Sequence, residues 1–216
     1  YIVGTPIGNL QDITLRALDI LRRVDRIMAE DTRHSRKLLT HFDIHKPLTS
    51  CHKFNEAARV EMFRRLICEE GRAVGMITDS GLPCVSDPGA RIVAACRAMD
   101  IPVTVIPGPS ALSTAVALSG MVSKGFHFEG FLSSKGAARR NRLARLAQVD
   151  VPLVFFESPH RLLKMLADVG QVLGPRPAFV ARELTKRFEE TLAGTPAEIA
   201  AAFDSRKVKG ECVVVV

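Results

Sequence analysis

The sequence predicts an α/β protein of two α/β domains, with a mostly parallel sheet in the first and a mixed sheet in the second. Two observations support this fold class. Short apolar strands alternate with amphipathic helices along the chain, which favours parallel strands joined by right-handed crossovers. The alternation pauses over residues 120–125, and 216 residues suffice for two domains of about 100 residues each. We therefore expect domains at 1–120 and 121–216.

In the first domain, hydrophobic spacing and capping residues define the elements. Apolar residues recur at helical spacing from Leu15 to Val24, behind Asp12 or Thr14 as the N-cap. Asn55 is expected to begin a further helix and Gly71 to end it. The other expected elements are strands at Tyr1–Val3, Ile27–Ala29, Val74–Ile77 and Val103–Ile106, and helices at Gly89–Met99 and Ala111–Leu118.

In the second domain, the clearest local signal is a capping box. Thr195 and Glu198 have the required spacing, with Pro196 at the first helical position. Glu189–Leu192 is expected to pair antiparallel, and the terminal valine run to close a mixed sheet. The other expected elements are strands at Phe126–Phe131, Leu153–Phe156 and Ala178–Ala181, and helices at Gly136–Ala147 and Arg161–Leu173.

Composition excludes several classes of protein. With 47% hydrophobic and 25% charged residues the chain is not intrinsically disordered, and no apolar run approaches the ~20 residues of a membrane-spanning helix. The five cysteines form no C-x-x-C pair, so we expect neither disulfides nor a metal site, and a cytoplasmic location. Because the chain begins and ends inside predicted strands, we expect both termini to be trimmed.

The charge balance favours a polyanionic partner such as nucleic acid. The net charge is +7, and a basic run in the second domain contains no acidic residue. The alternative interpretation is a solvated helix face, although such faces usually mix charges of both signs. The run consists of Lys135, Arg139, Arg140, Arg142 and Arg145.

Four loops that follow predicted strands are rich in glycine, proline and small polar residues. Ligands of open α/β sheets bind beyond the carboxyl ends of strands, and such loops let main-chain groups approach a ligand. Neither G-x-G-x-x-G nor a Gly-Lys-Ser/Thr triplet is present, which favours a nucleoside-like ligand without a lysine that grips a triphosphate. The loops are Gly4–Asn9, Asp79–Gly89, Pro107–Ala111 and Glu157–His160.

A series of motifs, in these loops and elsewhere, runs along the chain: Gly4–Leu10, Glu30–His34, Asp79–Pro83, Ser86–Gly89, Pro107–Ala111, Glu157–Arg161, Ala181–Lys186 and Lys209–Glu211. The chain is similar to the tetrapyrrole methylase superfamily, and within it to the branch of ribosomal RNA small-subunit 2′-O-ribose methyltransferases that act on a cytidine of 16S RNA. The resemblance runs from Tyr1 to Val216; family members commonly have Asp-Ala-Gly-Thr-Pro where this chain has Asp79-Ser80-Gly81-Leu82-Pro83.

The resemblance implies a class III methyltransferase that binds S-adenosylmethionine in a cleft between its domains, and that is a homodimer in known relatives. It also assigns the cofactor contacts to particular positions of this chain. The helix at Ala111–Leu118 would direct its N-terminus toward the methionine carboxylate, which suits an anion. The assigned positions are Ile7, Asp79, Gly81, Leu82, Ser110, Ala111, Phe156, Glu157, Ala181 and Glu211.

Methyl transfer to a ribose hydroxyl needs a general base and precise positioning, because the hydroxyl is a poor nucleophile until its proton is removed. Glu183, Asp31 and Glu157 are the candidates, with His34 a poorer fourth. Lys186 and Arg33 are candidates to hold a phosphate or to stabilise the developing alkoxide. Structural alternatives remain open: Glu183 and Lys186 as a brace at i,i+3 spacing, and Arg33 as a partner of Asp31.

For the RNA, we expect Arg139, Arg140, Arg142 and Arg145 to contact the backbone, and the substrate to be the assembled 30S subunit. Two other functions remain as alternatives. One is a methyltransferase of corrin or porphyrin carbons from the same superfamily, which has no need of the arginine run. The other is a nucleotide-binding or RNA-binding module without catalysis.

Overall fold

The computed structural model describes residues 1–204 and 207–216 of the chain. These residues form two compact units, Tyr1–Ser110 and Ala111–Val216. The chain passes from the first unit to the second between Ser110 and Ala111, whereas the boundary expected from the sequence, between residues 120 and 121, lies one helix further along the chain. The helix in question, Ala111–Ser119, packs against two strands of the second unit, and this packing places it there.

The first unit is built on a parallel sheet of five strands. Its order is β3-β2-β4-β1-β5, and every paired strand runs parallel, as the alternation of strands and helices predicted. A 3₁₀ turn at Leu10–Asp12 and a π turn at Arg65–Glu69 accompany it. The elements are β1 (Ile2–Val3), α1 (Leu15–Arg23), β2 (Arg26–Ala29), α2 (Thr32–His41), β3 (Leu48–Ser50), α3 (Glu56–Arg64), β4 (Val74–Ile77), α4 (Ala90–Ala98) and β5 (Val105–Ile106).

Helix α1 shows how local sequence sets an element. Of the two predicted N-caps it is Thr14 that serves, because its hydroxyl accepts a hydrogen bond from the Ala17 amide at 3.1 Å. Ala17 and Leu21 are buried on its inner face, and Val24 is the C-cap. Leu15 belongs to the apolar pattern but lies 86% exposed at the first helical position.

Several details of the first unit differ from the sequence-based prediction. Strand β3 was not predicted, because only three half-buried residues form it. Asn55 does precede α3, but its side chain accepts from the His52 amide and makes no cap with the helix. The helix then passes into the π turn before Gly71, whose φ of +62° is the left-handed region that glycine favours.

The second unit is built on a mixed sheet of five strands, in the order β6-β7-β10-β8-β9. Strands β6 and β7 are parallel, whereas β10 runs antiparallel to β7 and β8, and β9 antiparallel to β8, which confirms the predicted mixed sheet. The elements are α5 (Ala111–Ser119), β6 (His127–Phe131), α6 (Gly136–Leu146), β7 (Leu153–Glu157), α7 (Leu162–Leu173), β8 (Ala178–Arg182), β9 (Glu190–Gly194), α8 (Pro196–Asp204) and β10 (Cys212–Val215).

Each unit has its own apolar core. In the first unit, Ile2 and Val3 lie next to each other in β1 but belong to separate clusters, because successive strand residues point to opposite faces. This sheet is therefore covered on both sides, as parallel sheets usually are. In the second unit, Phe155 and Phe203 are fully buried in one cluster. Within 1–204 and 207–216, no helix combines the length and the apolarity needed to cross a membrane.

Candidate functional site

The loops that follow β1, β4 and β5 meet through their main chains. The Thr5 amide donates to the Gly81 carbonyl at 2.9 Å, and the Gly81 amide donates to the Thr5 carbonyl at 3.2 Å. Gly4 and Gly108 approach so closely that a Cβ atom on Gly4 would lie 2.9 Å from Gly108 Cα. Three of the four sequence-predicted loops are thus joined at the carboxyl edge of the parallel sheet, where ligands of such folds bind.

The predicted cofactor positions of the first unit lie on these loops. A Cβ atom at Gly81, whose φ is +82°, would lie 3.5 Å from Ile7 Cγ2 and 3.7 Å from the Pro109 carbonyl oxygen. The structure therefore brings Ile7 and Gly81 together, beside the turn that leads to Ser110. Leu82, in contrast, is half-buried against the apolar core of the unit.

A buried carboxylate fixes the far end of the loop after β4. Glu56 is 6% exposed, and its Oε1 accepts from the Gly89 amide at 3.0 Å and the Arg91 amide at 2.8 Å. An acid in this position satisfies free amides at the start of α4 and interacts favourably with its dipole. The sequence-based analysis missed Glu56, because its partners lie more than thirty positions away.

Three carboxylates gather at the ends of β2 and β4. The Asp31 amide donates to Asp79 Oδ1 at 3.1 Å, so two predicted site residues are neighbours. Burial, followed by the negative charge of Asp79, raises the pKa of Glu30. Glu30 was not among the sequence-predicted catalytic residues, and its half-buried position could not be inferred from its place in a motif.

Asp31 has a clear local role as the N-cap of α2. Its Oδ1 accepts from the Arg33 amide at 2.8 Å, and the Arg33 guanidinium lies 3.4 Å from Oδ2. These contacts, the amide first, lower the pKa of Asp31. The side chain of Arg33 is 91% exposed, and this exposed pairing with Asp31 fits the structural alternative that the sequence left open.

In the second unit, the strand register gathers polar residues at one edge of the sheet. Cys212, the first residue of β10, pairs with Glu157 at the end of β7 and with Arg182 at the end of β8. The next residue of β10, Val213, pairs with Phe156 and Ala181. The predicted positions Phe156, Glu157, Ala181 and Glu211 therefore lie around this edge; Ala111, which begins α5, also belongs to the second unit.

Glu183, Lys186 and Glu211 form a compact charged cluster, which we call the carboxylate–lysine cluster. The ammonium of Lys186 lies 2.8 Å from Glu183 Oε1 and 2.9 Å from Glu211 Oε2. The backbone amide of Glu211 also donates to Glu183 Oε1 at 3.2 Å. A Cβ atom on Gly210, whose φ is +86°, would overlap the Glu183 carboxyl group, so glycine at this position makes room for the cluster.

The electrostatics keep both members of the central pair charged. Burial raises the pKa of Glu183, but hydrogen bonds from Lys186 and from the Glu211 amide outweigh it, and the net shift is downward. Burial lowers the pKa of Lys186, but the carboxylates of Glu183 and Glu211 outweigh it, and the net shift is upward. The Glu183 side chain is only 18% exposed, so solvent screens the pair less than a surface pair.

Glu157 is a buried carboxylate with one oxygen unsatisfied. Its Oε1 accepts from the Ser158 amide at 2.7 Å and lies 2.5 Å from the Arg161 guanidinium. Its Oε2 is buried and has no hydrogen-bond partner within residues 1–204 and 207–216. Because leaving a buried polar atom unpaired is costly, this oxygen fits a donor group of a bound ligand.

The arginine run is more heavily paired than the sequence suggested. The side chain of Arg139 is 5% exposed, and its Nε lies 2.6 Å from Asp168 Oδ2. This burial and this partner favour a structural role for Arg139, and its predicted contact with RNA stays a prediction. The sequence could not show the pairing, since Asp168 lies on another helix.

The other arginines of α6 remain accessible. Arg140 also pairs with Asp168, at 3.2 Å, and Arg142 pairs with Glu129 at 2.6 Å, and both side chains are 43% exposed. Arg145 is exposed, and among the described residues no ion pair forms with it. Arg145 is therefore the arginine of the run whose side chain has the least competition for a phosphate.

Known proteins of similar sequence indicate the family of the chain. Residues 1–200 match the model of the tetrapyrrole (corrin/porphyrin) methylases. A ribosomal RNA small subunit methyltransferase I from Thermotoga maritima is 46% identical over 214 residues, covering 99% of this chain and 96% of that protein. One from Xylella fastidiosa is 48% identical over 220 residues, covering all of this chain and 80% of that protein.

Among solved structures, a diphthine synthase superposes with a TM-score of 0.75 at 15% identity, covering all of this chain and 87% of that one. At that identity the likeness concerns the fold alone, and it supports the two α/β units described above. The family match spans most of the chain, and the identity to the relatives extends along its full length. The chain therefore belongs to the tetrapyrrole (corrin/porphyrin) methylase family.

Proposed function

We propose that this chain is an enzyme that methylates small-subunit ribosomal RNA, at the ribose 2′-oxygen of a cytidine, with S-adenosylmethionine as the methyl donor. The observation that carries the proposal is the 46–48% identity, over the whole chain, to two relatives named as ribosomal RNA small subunit methyltransferases I. The carboxylate–lysine cluster supplies the chemistry that transfer to a hydroxyl requires.

The residues of the first unit suit a nucleoside-like ligand held by main-chain groups. Glycines at positions 4, 81 and 108 leave no side chain between the loop backbones, and Ile7 offers an apolar contact beside them. In the second unit, the unsatisfied buried oxygen of Glu157 fits a donor group of a ligand. When bound, S-adenosylmethionine supplies a methyl group activated by a positively charged sulfur.

Glu183 is the group we assign to the proton of the ribose hydroxyl. Its carboxylate is ionised near neutral pH and can therefore accept a proton, and the lowered pKa makes it a weaker base than a free glutamate. Lys186 remains cationic, and its ammonium can stabilise the negative charge that develops on the attacking oxygen. Asp31 is the second candidate, because it already caps a helix. Glu157 is the third, because it is buried against Arg161.

Arg140, Arg142 and Arg145 are the residues we assign to the RNA backbone. A lone ribose offers too little surface for specificity, and contacts with phosphates carry no sequence information. We therefore propose that the substrate is the assembled 30S subunit. The cytoplasm is the location that such a substrate implies. We also propose a homodimer, which light scattering of the purified chain would test.

The test mixes the chain with radiolabelled S-adenosylmethionine and one of three acceptors: 30S subunits lacking the modification, protein-free 16S RNA, and a reduced tetrapyrrole such as uroporphyrinogen. We expect label in the RNA of the 30S subunits, transferred faster than to protein-free RNA. Label in the tetrapyrrole alone would assign a corrin or porphyrin methyltransferase. Binding of the cofactor in a calorimeter without transfer to any acceptor would indicate a module without catalysis.

A further inference from the structure

The loop that joins β8 to β9 presents an aromatic ring to solvent. Phe188 is 66% exposed, and the guanidinium carbon of Arg187 lies 5.5 Å from the centroid of its ring. This spacing is that of a cation–π contact. An exposed phenylalanine next to a cation cannot be attributed to core packing, because most of its surface contacts no other part of the described chain.

Hydrogen bonds hold the backbone of the loop that carries this ring. Arg182 donates to the Phe188 carbonyl at 3.3 Å, to the Lys209 carbonyl at 2.9 Å and to Glu190 Oε2 at 3.1 Å. The Thr185 amide donates to the Glu189 carboxylate within the same loop. Because the backbone at Phe188 is already held, a ligand that stacks on the ring has to order only the side chain, and phenylalanine has just two side-chain torsions to fix.

The same loop carries two members of the carboxylate–lysine cluster. Glu183 and Lys186 precede Phe188 by five and two positions, and Lys186 is paired with Glu183 at 2.8 Å. A ring fixed a few residues from the groups that act on a ribose is well placed to contact a base of the same RNA segment. Lys186 is already paired with Glu183 and Glu211, and Glu189 follows the ring in the sequence, so Arg187 is the cation beside the ring that can meet a phosphate.

We propose that Phe188 is a stacking platform for a base of the single-stranded RNA that carries the methylated ribose, with Arg187 beside it as a contact for the backbone. Proteins that bind single strands combine aromatic side chains for the bases with cations for the phosphates, and stacking tolerates any base. Phe188 thereby positions the substrate and takes no part in proton transfer. This inference rests on the proposed function.

The first experiment uses the absence of tryptophan from the sequence. Phe188→Trp would introduce a single tryptophan at the platform, and Phe54→Trp would introduce one at a 94% exposed phenylalanine in the first unit; tryptophan emission can be excited apart from that of Tyr1. We expect a short single-stranded oligocytidine, and 30S subunits, to quench the fluorescence of Phe188→Trp but not of Phe54→Trp. Equal quenching in both variants, or binding of RNA without quenching at position 188, would overturn the proposal.

The second experiment measures methylation of 30S subunits by Phe188→Ala, Phe188→Leu and Phe188→Tyr. Loss of one stacked base corresponds to a rise in the KM for 30S subunits of about 5- to 150-fold. We expect this rise in the alanine and leucine variants, wild-type behaviour in the tyrosine variant, and unchanged calorimetric affinity for S-adenosylmethionine in all of them.

Three outcomes separate the possibilities. Full activity in Phe188→Leu would indicate an apolar contact, such as one with a protein, and would contradict stacking. Unchanged KM in Phe188→Ala, with the wild-type chain active, would overturn the platform while leaving the proposed function intact. Absence of methylation by the wild-type chain would contradict the proposed function itself and, with it, this inference.

Discussion

The loops of the first unit and the sheet edge of the second unit are polar regions built in different ways. In the first unit, the contacts between Thr5 and Gly81 and between Gly4 and Gly108 join main chains, and glycine is what allows the approach. In the second unit, the carboxylate–lysine cluster joins charged side chains across two strand ends.

This difference suits the two regions to different functions, ligand recognition and proton transfer. Main-chain groups cannot change with pH and hold a fixed geometry, which suits recognition of a ligand by shape and hydrogen bonds. Charged side chains can accept or hold a proton, which suits a step in which charge develops. We assign the main-chain contacts with the cofactor to the first region, and proton transfer, beside the cofactor positions of the second unit, to the second region; substitutions in each region can test that assignment.

The largest effect is expected for Glu183→Ala, since a positioned general base typically contributes about 10²- to 10⁴-fold to the rate. We expect single-turnover methylation of 30S subunits to slow by that factor, while the affinity for S-adenosylmethionine changes little. Asp31→Ala is the matched comparison, and we expect it to slow the reaction less because Asp31 is already committed to the α2 cap. A normal rate in Glu183→Ala with a slow Asp31→Ala would transfer the role to Asp31.

The next largest effect is expected for Gly4→Ala, in the first-unit loops that contact each other through their main chains. The added methyl group would lie 2.9 Å from Gly108 Cα, and backbone atoms there cannot move aside cheaply. We expect the free energy of unfolding in urea to fall by about 1–3 kcal/mol, with weaker binding of S-adenosylmethionine in the calorimeter. Gly125→Ala is the control, because a Cβ atom there meets nothing within 4 Å. Equal behaviour of the two variants would refute the importance of the close approach.

The glycines of the two regions show what could and could not be predicted from the sequence. The loops around Gly4 and Gly108 were identified because glycine, proline and strand ends are local signals. The role of Gly210 was not, since it depends on the side chain of Glu183, which lies 27 positions away. Likewise Glu56 and Asp168 are buried acids whose partners are brought close only by the fold, and an acid in a helical pattern usually indicates a solvated face.

The pairing of the arginine run also depends on partners that only the fold brings close. A smaller effect, on RNA binding, is expected from substitutions there. Because Arg142 is paired with Glu129 whereas Arg145 is exposed, Arg145→Gln should weaken binding of 30S subunits more than Arg142→Gln. Loss of one phosphate contact lowers the slope of log affinity against log salt by about 1. Filter binding at several salt concentrations measures this slope. An unchanged slope in Arg145→Gln would leave this helix face as a solvated surface.

The smallest effect is the pH dependence of stability from the carboxylate–lysine cluster. The pKa of Glu183 is lowered in the folded chain, so its contribution is present above the ordinary value of 4.5 and is lost as the pH falls through the folded pKa. The pKa of Lys186 is raised, so its contribution is present below 10.5 and is lost as the pH rises through its folded pKa.

The measurement compares the free energy of unfolding of the wild-type chain with that of Glu183→Gln, over a pH range that extends below 4.5 and above 10.5. We expect the wild-type chain to be the more stable near neutral pH, and the difference to shrink in acid. Stability that differs by the same amount at every pH would contradict an ionised pair. In the first-unit loops, by contrast, Gly4→Ala should lower stability equally at all pH values, because no titrating group is involved.

The central claim, that this chain methylates a ribose hydroxyl, is tested most directly by locating the transferred methyl group. RNA from 30S subunits methylated by the purified chain would be digested to nucleosides and analysed by mass spectrometry. The account predicts 2′-O-methylcytidine, with the added mass on the ribose fragment. A methyl group on the base, or on any molecule other than small-subunit RNA, would contradict it.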